Sequence, residues 1–109
     1  MAILVQDSAT QPSTVSALDG PQAAYADNIR CIGVLYVAQQ DLRQRDPRQR
    51  EIMNSLTAIN GRLEEHLAAG HAEEATIAAD IQRAVNDARP MKADALEDCF
   101  AASGAPSAP

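Results

Sequence analysis

The stretch AAYADNIRCIGVLYVAQQDLRQR, residues 23–45, decides the fold. Its centre, CIGVLYVA, is a short β-branched apolar run of the kind that also fits a buried strand, and Gly33 weakens a helix there by about 1 kcal/mol relative to alanine. The flanks settle the matter. Both AAYADNIR and QQDLRQR keep helical character, and no second run of comparable strength exists to pair with it. Placed at about 100° per residue, Tyr25, Ile29, Ile32 and Tyr36 form one stripe, and Cys31, Leu35, Ala38 and Leu42 form a neighbouring one. Val34 and Val37 fall on the remaining face beside Arg30 and Asp41, so this helix is apolar nearly all round. Pro21 suits the first helical position, with Asp19 or Gly20 as cap, and the helix is expected to run to about Arg45.

Outward from this helix, the next one has the clearest start in the chain. Asp46 is placed to cap, Pro47 to open, and Gln49 to complete a capping box. Ile52, Leu56, Ile59, Leu63 and Leu67 make its core stripe, with Met53 alongside. Because that stripe keeps phase through Asn60-Gly61, one helix is expected up to a glycine cap at Gly70. A third helix, about Ala72 to Arg89, is predicted to bury Ile77, Ile81, Val85 and Ala88 and to turn Thr76, Asp80, Arg83 and Asp87 to solvent. Pro90 ends it. A short fourth helix, about Met91 to Ala102, places Leu96, Cys99 and Phe100 over the others.

The expectation is therefore an all-α protein, a small three- to four-helix antiparallel bundle over residues 19–102. The Ser/Thr-rich leader 1–18 and the tail 103–109 are expected to be disordered. The 109 residues suffice for one domain with a modest core. The composition agrees, with 46% hydrophobic residues but only 3% aromatic ones, because alanine supplies much of the apolar fraction and favours helix over strand.

A net charge of -6 and a pI near 4.7 oppose binding to nucleic acid or an anionic membrane. No run approaches the roughly 18 apolar residues of a membrane-spanning helix, and the N-terminus lacks the basic region of a signal peptide. The protein is expected to be cytoplasmic, and bacterial on the strength of its arginine-over-lysine skew, Lys92 being the sole lysine. Cys31 and Cys99 are expected to be buried and reduced, the alternative being one disulfide from the first helix to the last.

Three constellations invite a functional reading. In EEHLAAGHAEE, His66, His71 and Glu74 are candidate metal ligands, but the Glu-x-x-His and HExxH spacings are absent, so no metal or other cofactor is expected. Around the first helix–helix turn, Arg43, Arg45, Arg48 and Arg50 can grip an anion or an acidic partner, although Asp41, Asp46 and Glu51 leave a local net of only +1. The third is the apolar excess of the first helix. Either the other helices enclose it, or Val34, Leu35, Val37 and Leu42 form an interface with a second copy or another protein. No nucleophile elbow or phosphate loop appears. The reading is a non-enzymatic protein-interaction or regulatory protein, such as an adaptor, small chaperone or anti-activator, that self-associates. The alternatives are a secretion-associated component or secreted effector, and a metal sensor or small all-α enzyme using the His66/His71 cluster.

Overall fold

The computed structural model describes residues 20–104, in which four helices and no strand occur: α1 (Gly20–Asp41), α2 (Arg48–Ala68), α3 (Glu74–Asp87) and α4 (Ala93–Ser103). The predicted leader 1–18 and most of the predicted tail lie outside the described residues. No helix among them is long and apolar enough to cross a membrane.

α1 is the hub. It packs against α2, α3 and α4, whereas α2 and α3 flank it without an extensive contact of their own. That arrangement explains its all-round apolarity: Ile32, Leu35 and Ala38 are completely buried, as is Val37 one turn beyond Gly33. α1 stops at Asp41 rather than Arg45 because the Gln49 amide leaves the capping-box position and donates to three carbonyls around the end of the helix. These are Gln39 O and Leu42 O, both at 3.1 Å, and Arg43 O at 3.3 Å. The other half of the predicted start does form, since Asp46 Oδ1 accepts from the Arg48 backbone N–H at 2.9 Å. α2 runs unbroken through Gly61 and is followed by Gly70 at φ 79°.

Ile52, Leu56, Ile59 and Leu63 pack against α1 and against Leu96, Cys99 and Phe100 of α4 to form the core. Leu67 on the last turn of α2 and Met53, expected alongside the stripe, are the exceptions, 39% and 50% exposed. Ser103 corrects the expected tail boundary. It is the final residue of α4 and 2% exposed, its hydroxyl lying 3.0 Å from that of Ser55 and donating to Phe100 O at 2.8 Å. Arg62 reaches over to accept the job of a cap, donating to Ala102 O at 3.0 Å and to Ser103 O.

Cys31 and Cys99 are buried as expected but not reduced. They form a disulfide with Cα atoms 5.4 Å apart, closing a span of 68 residues and tying α1 to α4. The two thiols are brought together because Leu96, Cys99 and Phe100 sit on the face of α4 that closes over α1.

α3 is held differently. Tyr25 meets Asp80, Gly33 meets Ala84, and Gln40 meets Arg89, so both chains ascend together and α1 and α3 run parallel. The approach is very close at Gly33, where an added Cβ would lie 2.5 Å from the Ala84 carbonyl carbon and oxygen. The glycine that weakens α1 as an isolated helix is what lets α3 lie against it. No residue of α3 is fully buried: Ile77, Ile81, Val85 and Ala88 are only half-buried, because short side chains leave the seam shallow.

Candidate functional site

Between α1, α3 and the start of α4 lies a cleft of about 580 Å³. Its apolar part consists of Ile29 and Val34 from α1, Ala84 and Ala88 from the α3 segment, and Met91 and Ala95 at the approach to and first turns of α4. Ile29 and Val34 are buried and the other four half-buried, so they form the floor. Around the rim stand Tyr25, Arg30, Asp80, Arg83, Asp87 and Lys92. The cleft exists because alanines at 84, 88 and 95 hold the helix backbones close to α1 without filling the space between their side chains.

One end of the rim is tightly tied. The Tyr25 hydroxyl donates to Asp80 Oδ2 at 2.7 Å, and Arg83 Nη1 donates to Asp80 Oδ1 at 3.0 Å. Partial burial, then the hydrogen bond and charge of Asp80, push the Tyr25 phenol up from 10.0 to about 12. Tyr25 also sets its ring edge-on to His66, with centroids 5.5 Å apart. The polar stripe Asp80, Arg83 and Asp87, predicted to face solvent, is thus a wall of the cleft; only Thr76, an exposed residue, lies outside it.

The remaining rim cations, Arg30 and Lys92, are loosely held. Arg30 Nη1 lies 3.7 Å from Cys99 Sγ, a poor acceptor, and neither Arg30 nor Lys92 has an ion pair among the described residues. Arg30 belongs to the sequence stretch that decided the fold, yet nothing local marks it as a site residue. Its significance comes from the cleft residues of α3 and α4, 50 or more positions away.

The sequence-predicted candidates fall elsewhere. Val34, Leu35 and Val37 are buried inside the single chain and Leu42 is half-buried, so the apolar surplus of α1 is covered by α2, α3 and α4 without a second chain. Val34 alone of these four touches the cleft. At the α1–α2 turn Arg48 pairs with Asp46 at 2.9 Å, while Arg43, Arg45 and Arg50 are exposed. The side-chain and backbone hydrogen bonds from Arg48 hold the Asp46 carboxyl down near 2, below its usual 3.8. His66 and His71 do meet, with Nδ1 atoms 3.3 Å apart, and His66 Nε2 lies 3.3 Å from Asn28 Nδ2. Glu74 does not join them, since no group of three metal-ligating side chains forms among the described residues.

The chain matches no protein-family model, no curated protein and no solved structure. What the cleft can do rests on its own residues. It offers a largely apolar floor, a hydrogen-bonded Tyr25–Asp80–Arg83 group and two cations without an ion pair among the described residues, which suit holding a ligand by contact.

Proposed function

We propose that this chain is a non-enzymatic binding protein whose ligand seats in the cleft between α1, α3 and α4. The observation that carries the reading is the cleft itself: 580 Å³ lies within the range of about 300–1,000 Å³ typical of small-molecule sites, and an apolar floor with a few placed polar groups is their usual makeup. A regulatory role fits such a site, because ligand occupancy stabilises the position of α3, the helix with no fully buried residue. Protein contacts through α1 are less favoured than the sequence suggests, since its apolar faces are already occupied; the exposed Arg43, Arg45 and Arg50 remain the place for an acidic partner.

The disulfide bears on where the protein works. Cytosolic thiols are kept reduced, whereas disulfides persist in secreted and periplasmic proteins, so the Cys31–Cys99 bond favours an oxidising compartment over the cytoplasm and supports the exported alternative. Trapping thiols in intact cells with a membrane-permeant alkylating reagent tests this. Two unmodified cysteines are expected, and two alkylated ones return the protein to the cytoplasm.

The binding reading is tested with the neutral fluorescent probe N-phenyl-1-naphthylamine. Its emission should rise in the presence of wild-type protein and stay low with Ala26→Trp, which fills an exposed position on the cleft wall. The variant's stability should stay within about 0.5 kcal/mol of wild type. A wild type that leaves the probe dark, or a variant that brightens it equally, ends the reading.

A further inference from the structure

We infer that the cleft is built for a linear apolar monoanion, an alkyl chain ending in a single carboxylate, with the head held by Arg30 and Lys92. This rests on the binding role proposed for the cleft and adds the chemistry of the ligand.

The charge pattern carries the inference. Three cations and two carboxylates line the cleft, but they are not equally available. Asp80 is committed twice, to the Tyr25 hydroxyl and to Arg83. Asp87 is the one other carboxylate of the lining, and neither Arg30 nor Lys92 forms an ion pair with it. The Arg30 guanidinium has five N–H donors, and among the described residues its side-chain hydrogen-bond partner is a disulfide sulfur at 3.7 Å, so a bidentate carboxylate is the natural complement. The surplus is one positive charge, which matches one negative head. A dianion meets Asp87 uncompensated, and an alkylammonium meets two cations.

The rest of the molecule argues that contact, not long-range attraction, is the driving force. The chain carries -6 overall, so its field repels anions at a distance, but that field is screened beyond about 8–10 Å in ordinary salt. An anion that binds here needs an apolar body to supply affinity. The floor provides for one: Ile29, Val34 and the alanines leave a trough, and Met91 can adapt to the chain that fills it.

Displacement of the naphthylamine probe by decanoate, decan-1-ol and decylammonium, each below its aggregation concentration at neutral pH, separates tail from head. Decanoate should bind about tenfold more tightly than decanol, decylammonium more weakly than both, and each methylene added from hexanoate to decanoate should tighten binding about threefold to fourfold. Arg30→Gln with Lys92→Gln, both exposed positions, should abolish the preference for decanoate and leave decanol unchanged. Equal binding of decanoate and decanol by wild type, or a preference that survives the double substitution, overturns the anion assignment while the cleft remains a binding site. If the probe binds and none of the three displaces it, the alkyl-chain ligand is wrong; if the probe itself does not bind, the cleft reading fails with it.

Discussion

The two sides of α1 are built on opposite terms. Toward α2 and α4 it meets a dense core in which Ile52, Ile59, Leu96 and Cys99 are almost completely excluded from water and a disulfide closes the arrangement. Toward α3 it meets alanines, half-buried isoleucines and a cleft edged with charges. One side holds the fold; the other is thin enough to leave room for a ligand. A domain of this size has a modest core at best, and here most of that core lies on one side, so the binding side is free to be shallow.

The largest expected effect comes from removing the bond that finishes the dense side. A cross-link closing 68 residues lowers the entropy of the unfolded chain by an amount worth about 4 kcal/mol in the loop-closure picture. Small domains have about 5–15 kcal/mol in total. Cys31→Ser with Cys99→Ser, or reduction of the wild type, should therefore lower the denaturation midpoint sharply in urea and leave the protein marginal near 37 °C. A loss below about 1 kcal/mol would mean that the core of α1, α2 and α4 is sufficient by itself, which would sharpen the contrast between the two sides.

On the thin side the critical position is Gly33. Replacing it by alanine improves the intrinsic helix propensity of α1 by about 1 kcal/mol. The new Cβ, however, would sit 2.5 Å from backbone atoms of Ala84, which cannot rotate away, so α3 must shift outward. Overpacking of that kind costs about 1–3 kcal/mol, and the steric term is expected to win. Gly33→Ala should destabilise the protein moderately, and amide hydrogen exchange should accelerate in α3 while α2 and α4 stay protected. Uniform acceleration would show that the two sides are one cooperative unit.

This asymmetry marks the boundary of what the sequence conveys. The dense side is legible because it is periodic: Ile52, Leu56, Ile59 and Leu63 recur at helical spacing, and Asp46-Pro47 and Gly70 bracket them. Even Ser103, assigned to the tail, continues the Leu96, Cys99, Phe100 face at the same spacing, a signal that the surrounding Ser, Gly and Pro composition obscured. The cleft is a different matter. Tyr25 and Asp80 are 55 positions apart, and the rim draws on three helices whose relative direction no local pattern encodes. Asp80, Arg83 and Asp87 form a polar stripe on an isolated α3 and imply solvent; they become a cleft wall only because an alanine-rich helix lies so close to its neighbour. Gly33 reads as a weakness until Ala84 is seen opposite it. The disulfide was likewise open, since two cysteines 68 residues apart pair only if tertiary packing brings them together.

The smallest expected effect is at the tied end of the cleft, where Tyr25 joins α1 to α3. Burial and the Asp80 carboxylate favour the neutral phenol, so the folded protein holds this proton up to about pH 12, whereas the unfolded chain releases it near 10.0. With the folded pKa raised, the stabilisation is fully present below pH 10 and is lost as the pH rises from there toward 12. In a Tyr36→Phe background Tyr25 is the only tyrosine, and its ultraviolet titration should be centred near 12. Asp80→Asn should bring it down only part of the way, because burial is the larger cause and stays in place. Tyr25→Phe, which removes one side-chain hydrogen bond at a half-buried position, should cost about 0.5–1.5 kcal/mol at neutral pH and progressively less above pH 10. A phenol that titrates near 10 in the folded protein would detach Tyr25 from Asp80 and leave α3 anchored by its apolar seam and the Arg89–Gln40 hydrogen bond.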